Sequence, residues 1–389
     1  MNIVRIFFLI LLFLFPFGEL LRFSITNDLA VSIIDIIIFS IVVLWFLFTK
    51  KKLITTQPLS YGIFGFILAS VFSLAINSVN YEISEFFTSF LYLLRWISYA
   101  CLYFVVSEFD LQFKKKIVKF MVAAGGIFVV FGFIQYFFYP NLRNLYYAGW
   151  DEHLYRMFST FLDPNFAGAF FVLYLFFIAG LFFKEKENKT RAFFIVVGIT
   201  TVIAIFLTYS RSAYIMYIAG VLTFLVLQKK IKILLIFFSL FLLGIFFLSK
   251  LPQSEGTNLL RIASTKARLE TAQNAFIIFK DNLILGVGFN AYRYAQYKYG
   301  FLEENLKKEN HAGAGTDNSF LFIAATTGIL GFLAYVNILF SVLKYTWNKN
   351  LFFFCSIVGL CIDALFVNSL FYPFLMMWVW IMLGLIENT

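Results

Sequence analysis

About twelve apolar runs, each close to the length of a bilayer crossing and parted by polar breaks, constrain this chain more than any other feature. A helix that spans a bilayer needs roughly 20 mostly apolar residues. The runs lie at 3–21, 29–48, 59–76, 84–106, 117–139, 166–183, 192–208, 212–228, 232–249, 318–343, 351–368 and 371–386. The composition agrees: 61% of residues are hydrophobic and 13% charged, where soluble domains are about half apolar and a quarter charged. The reading is an all-α polytopic membrane protein of about 12 transmembrane helices, a single membrane domain over 1–389.

The basic residues set its direction. "TKKK" (49–52), "KKKIVK" (114–119), "KEKENKTR" (184–191), "QKKIK" (228–232) and "KYTWNKN" (344–350) fall after every second run. They share one side, which the positive-inside rule makes the cytoplasm, with both termini inside. These runs absorb most of the net charge of +10, so no nucleic-acid partner is expected; membrane lipids are. The start, "MNIVRIFFLILLFLFPFGELL", resembles a signal peptide but lacks a small-x-small cleavage site and is read as a first membrane helix. Cys101, Cys355 and Cys361 sit inside apolar runs, and with two histidines a His-rich metal centre is excluded. No cofactor is expected.

Two longer segments fall on the opposite, extracytoplasmic side: 140–165, and the large loop 250–316. In the large loop Leu259, Ile262, Leu269, Ala272, Phe276 and Phe279 recur at helical spacing, which predicts an amphipathic helix at the membrane surface. The turn "LGVGF" lacks the strand and helix that would make it a nucleotide fingerprint. No cytoplasmic loop is long enough to fold as a domain, so chemistry is expected at the outer face or within the bilayer.

Each candidate site residue has a bland account beside the functional one. Arg211, in "LTYSRSAY", sits at the tip of a tight outer hairpin: either it snorkels to headgroups, or its planar fork clamps phosphate oxygens, with Ser210 and Ser212 as added donors. Arg268, Arg261 and Lys266 lie on the polar side of the loop helix, as a solvated face or a second anion contact. Arg95 lies mid-span, where a charge is functional by default unless Asp35 or Asp363 pairs with it. Asp163, Pro164 and Asn165 make a helix start, with Arg156 upstream in the same loop. "GTDNSFLFIAATTGILGF" (315–332) offers Thr316 or Asp317 as N-cap and Gly328 and Gly331 for a close helix approach. One cap suffices, so the run Thr316, Asp317, Asn318, Ser319 is in excess, and Asp317 or the nearby His311 is a candidate general base. Trp150, Tyr292 and Tyr294 are candidate sugar-stacking rings.

Four motifs in order, "RMFSTFLDPNFAGAF" (156–170), "LTYSRSAY" (207–214), "ARLETAQNAFIIFKDNLILGVGFNAYR" (267–293) and "TDNSFLFIAATTGILGF" (316–332), resemble the O-antigen ligase/polymerase superfamily of envelope glycosyltransferases. With the membrane pattern, the likeness extends over essentially the whole chain. It implies a GT-C-like, metal-independent transferase at the outer face of the bacterial inner membrane. The donor would be a glycan on undecaprenyl pyrophosphate, and the acceptor lipid A core for a ligase or a lipid-linked repeat unit for a polymerase. By the same resemblance Arg211 corresponds to the superfamily's SR motif and Arg268 to its loop arginine. Many members carry His before the Asn-Ser pair; here that position is Asp317. The competing class is a transporter such as a lipid-linked glycan flippase, which calls for intramembrane charge and repeat symmetry; the second is not visible.

Overall fold

The computed structural model describes residues 2–25, 29–49, 58–148, 150–302 and 315–386. Each of the twelve apolar runs contains one helix. These are α1 (Asn2–Leu14), α2 (Ile33–Phe48), α3 (Ser60–Asn77), α4 (Ile83–Ser107), α5 (Leu111–Phe138), α6 (Pro164–Lys184), α7 (Asn188–Leu207), α8 (Arg211–Leu227) and α9 (Ile231–Leu248), then α12 (Ser319–Trp347), α13 (Leu351–Asp363) and α14 (Pro373–Ile386). Two more, α10 (Ala263–Asp281) and α11 (Tyr292–Lys298), belong to the large loop. Among the described residues seven helices are long and apolar enough to cross a membrane by length and composition, and five apolar helices are shorter. The protein is thus a helical, polytopic membrane protein.

Two details depart from the expected pattern. Arg22–Ser24 and Ala30–Ser32 pair as short antiparallel strands, β1 and β2; three residues are too few to show a period. The lysine run 114–119, expected as a loop, forms the first turns of α5, because Asp110 caps the helix by accepting from the Phe113 N–H at 2.8 Å.

The helices pack in pairs: α13 along α8 and α6, α14 along α4, α12 along α3, and α6 along α7. One apolar cluster joins Val4 of α1 to Ile386 of α14. The loop helix α10 buries Ala275 and Ile278 and packs on α12. Of the expected apolar positions, Leu259 and Phe279 pack partly against protein, and Ile262, Leu269 and Phe276 form an outer stripe, 79%, 60% and 55% exposed. That stripe suits contact with lipid rather than with protein.

The turn "LGVGF" and the glycine of α12 are one device. Gly328 breaks α12 with φ +64°, and Gly286 in the turn has φ +65°. A Cβ on either would collide with the backbone of the other segment. The freed carbonyls of Ala325 and Thr326 accept from the N–H groups of Val287 (3.0 Å) and Gly288 (2.9 Å), and the Ile329 N–H donates to Leu283 O at 2.8 Å. From α3, the Ser73 hydroxyl donates to Thr326 O at 2.8 Å and the Asn77 amide to Gly286 O at 3.0 Å. A broken helix inside a bilayer is tolerated only when its backbone groups are re-satisfied in this way. Where a helix is expected to approach Gly328, what approaches is the turn that follows α10; Gly331 meets Thr327 of its own helix.

Candidate active site

At one end of the bundle, where α7 turns into α8 and where α6, α12 and α14 begin, lies a cavity of about 550 Å³. It reaches down to Arg95, midway along α4. One wall is built from the two loops, the other from the segment after α1, the start of α2 and the middle of α4.

The loop wall starts with a constraint on the backbone. His153, Tyr155, Ser159 and Leu162 all have positive φ, a conformation that costs side-chain-bearing residues roughly 1–3 kcal/mol each and gathers at functional sites. Gln135 of α5 holds this loop in place. Its Oε1 accepts from the Phe158 and Ser159 N–H groups (2.8 and 3.1 Å), and its Nε2 donates to Arg156 O at 3.2 Å. Ser254 of the large loop donates to Leu154 O at 2.8 Å, which joins the two loops.

Four arginines converge on the α7–α8 hairpin. Arg156 is buried and donates from Nε to Thr208 O at 2.9 Å. Arg261 donates to Gly256 O at 2.7 Å, and both Arg156 and Arg261 reach Tyr209 O at 3.5 Å. Arg211 donates to Arg261 O at 3.1 Å and to the Ser264 hydroxyl at 2.6 Å. Arg268 is half-buried beside them. None of the four takes part in an ion pair among the described residues. Their mutual repulsion and burial show in their acidity. Burial first, then Arg261, pulls Arg156 down to about 9, and burial, then Arg211 and Arg268, pulls Arg261 down to about 10. Burial and Arg156 also depress the His153 imidazole to about 3, so it is neutral near pH 7. Nearby carboxylates such as Asp163 and Asp317 act on these cations without pairing directly with them among the described residues, so their donors are arranged to receive an anion from outside the chain.

The expected residues divide by role. Arg156, Arg261, Arg268, Asp163, Asn165, Asp317 and Arg95 all line the cavity. Arg211 does not; it braces Ser264 and Arg261, which do. Ser210 is not on the cavity either. It is fully buried, caps α8 by accepting from the Ala213 N–H, and donates to Asn165 Oδ1 at 2.9 Å. Asp163 caps α6, accepting from Asn165 N–H at 2.6 Å, as the Asp-Pro-Asn start predicts.

The N-cap of α12 is neither Thr316 nor Asp317 but Asn318. Its Oδ1 accepts from the Phe320 and Leu321 N–H groups at 2.9 and 3.0 Å, and its Nδ2 donates to Leu365 O at 3.0 Å. Asn318 is therefore engaged in starting the helix and lies off the cavity. Asp317 is left free of capping and faces the cavity. Burial raises its carboxyl above the usual range, while Arg268 pulls the other way. His311 lies outside the described residues. Tyr292 and Tyr294 are buried, 0% and 3% exposed, and are not stacking platforms; Trp150 lines the cavity.

The far wall is different. Arg95 donates to Asp35 Oδ2 at 2.8 Å and to Ala30 O at 2.6 Å, and Tyr99 donates to Asp35 Oδ1 at 2.8 Å. The intramembrane arginine thus has Asp35, not Asp363, as its ion-pair partner. Glu19 and Arg22 pair at 3.3 Å on the same wall. Sequence reasoning missed His153, Glu19 and Arg22; only the rarity of histidine marked the first, and nothing local marked the others. Among the described residues no three His, Cys, Asp or Glu gather as a metal site.

Residues 195–336 match the family model described as O-Antigen ligase. No curated protein matches the chain. The matched segment runs from α7 into α12 and holds Arg211, Arg261, Arg268 and Asp317, three of the four motifs. Over that segment the chain is similar to the O-antigen ligase family, which supports the superfamily likeness drawn from the three motifs inside it.

Proposed function

We propose that this protein is a glycosyltransferase of the O-antigen ligase/polymerase type. It moves a glycan from a polyprenyl pyrophosphate carrier, undecaprenyl pyrophosphate in bacteria, to a hydroxyl of lipid A core or of a lipid-linked repeat unit. It has about twelve spans in a GT-C-like arrangement, with both termini in the cytoplasm and the cavity on the outer side of the inner membrane.

The observation that carries this reading is that Arg156, Arg261 and Arg268, none of them in an ion pair among the described residues, line one cavity with Asp317, with Arg211 bracing them from behind. The acceptor oxygen attacks the anomeric carbon as the bond from that carbon to the pyrophosphate oxygen breaks. The electron pair leaves on the phosphate, where Arg268, Arg261 and Arg156 stabilise it, while the acceptor proton passes to Asp317. Arg211 acts as a positioning residue through Ser264 and Arg261. These residues need no metal for the step. The flippase reading has less to draw on, since the intramembrane Arg95 is already neutralised by Asp35.

The test is Arg268→Ala expressed in a host deleted for the gene. The expected result is loss of glycan transfer with normal amounts of inserted protein; full transfer overturns the assignment. In the deletion itself, loss of the ladder with single repeats left on the acceptor identifies a polymerase. Loss of all acceptor glycan identifies a ligase.

A further inference from the structure

At the opposite end of the bundle, where α5, α7 and α13 begin and α6 and α14 finish, a groove of about 610 Å³ opens. That is within the roughly 300–1,000 Å³ of ordinary ligand sites. It shares no residue with the arginine cavity. The face of α5 that lines it carries Lys114, Lys115 and Lys119 in the first turns and Val118 and Val122 deeper. Those positions follow i, i+3, i+4 spacing on a single helix side. Lys184, at the end of α6, adds an ammonium from across the groove.

Little acid faces the exposed lysines among the described residues. Glu185 is the one acid on the lining, and its Oε1 accepts from the Lys186 and Glu187 N–H groups at 2.7 and 2.9 Å. Lys114 is buried and donates to Gly384 O at 3.1 Å. Lys115, Lys119 and Lys184 are exposed and form no ion pair among the described residues. Beyond them the groove is apolar, walled by Phe177, Leu181, Phe193 and Met382. From Lys115 to Val122 it follows α5 for about 10 Å.

We infer that this groove binds an anionic glycerophospholipid of the phosphatidylglycerol type. Lys115, Lys119 and Lys184 hold the phosphate, and one acyl chain lies along Val118, Val122 and Phe177. A basic rim over an apolar slot between membrane helices is complementary to a charged headgroup joined to a chain. A soluble anion would match only the rim. The inference is independent of the reaction at the other end.

The experiment is native mass spectrometry of the full chain in detergent, with phosphatidylglycerol or phosphatidylcholine of identical acyl chains added. Phosphatidylglycerol is expected to be retained at least about fivefold more strongly, and the preference to vanish in the Lys115→Gln/Lys119→Gln/Lys184→Gln variant. A second variant, Val122→Trp, fills the slot and is expected to weaken phosphatidylglycerol retention with every lysine in place. Equal retention of the two lipids by the unaltered chain overturns the proposal, as does a preference that survives the lysine changes. Competition by inorganic phosphate at equal concentration also overturns it, since the acyl chain would then contribute nothing.

Discussion

The two ends of the molecule both gather positive charge, but with different side chains and to different degrees of order. At the cavity, arginines are half-buried or buried and fixed by backbone carbonyls, around a loop that holds several residues at positive φ. At the groove, lysines stand exposed on the first turns of a regular helix. A planar fork oriented by the fold recognises geometry; a flexible ammonium recognises charge. Strain and burial therefore separate a site built for one reacting group from a rim that tolerates many headgroups.

That contrast can be broken most sharply at Arg268. Arg268→Ala should lower transfer by at least about 100-fold, and Arg268→Lys by roughly tenfold or more, because charge without the bidentate fork is not enough. Assays with a lipid-linked donor measure both; an unimpaired lysine variant would make the two ends equivalent. Next, Asp317→Asn should cost about 100-fold in transfer and exceed the loss in His311→Gln, consistent with general-base catalysis worth roughly 10²–10⁴. The reverse order would assign the proton to His311.

The third effect is on folding. Gly286→Val forces a side chain into the broken part of α12 at positive φ, and is expected to destabilise the protein by roughly 2–4 kcal/mol, read as thermal stability in detergent. A smaller effect concerns His153. Its folded pKa is depressed to about 3, whereas the unfolded group titrates near about 6.5. The unfolded chain then binds the extra proton, so stability is lost as pH falls from about 6.5 towards 3. His153→Gln should remove that part of the slope, and Arg156→Gln should move the imidazole pKa upward, followed by NMR in a His311→Gln background. The smallest change is expected at the groove, where Lys115→Arg should leave phosphatidylglycerol retention within about twofold.

Much of this arrangement was legible in the chain. Each apolar run holds a helix because hydrophobicity is a local signal, and the Asp-Pro-Asn start located the cap of α6 for the same reason. The arginines were visible as charges out of place. What stayed hidden depends on contacts far apart in sequence. Asn318 displaces Asp317 from the cap only because its amide also reaches Leu365. Arg211 supports the wall rather than forming it because Ser264 and the Arg261 carbonyl stand in front of it. The junction of "LGVGF" with Gly328 pairs two segments whose composition says nothing of each other.

That junction also bears on how such a chain can diversify. Arg268 precedes the turn and Asp317 precedes the break, so their separation is set by backbone bonds between 283–288 and 325–329. A change at the junction, remote in sequence from either charged group, then alters how the two stand toward each other.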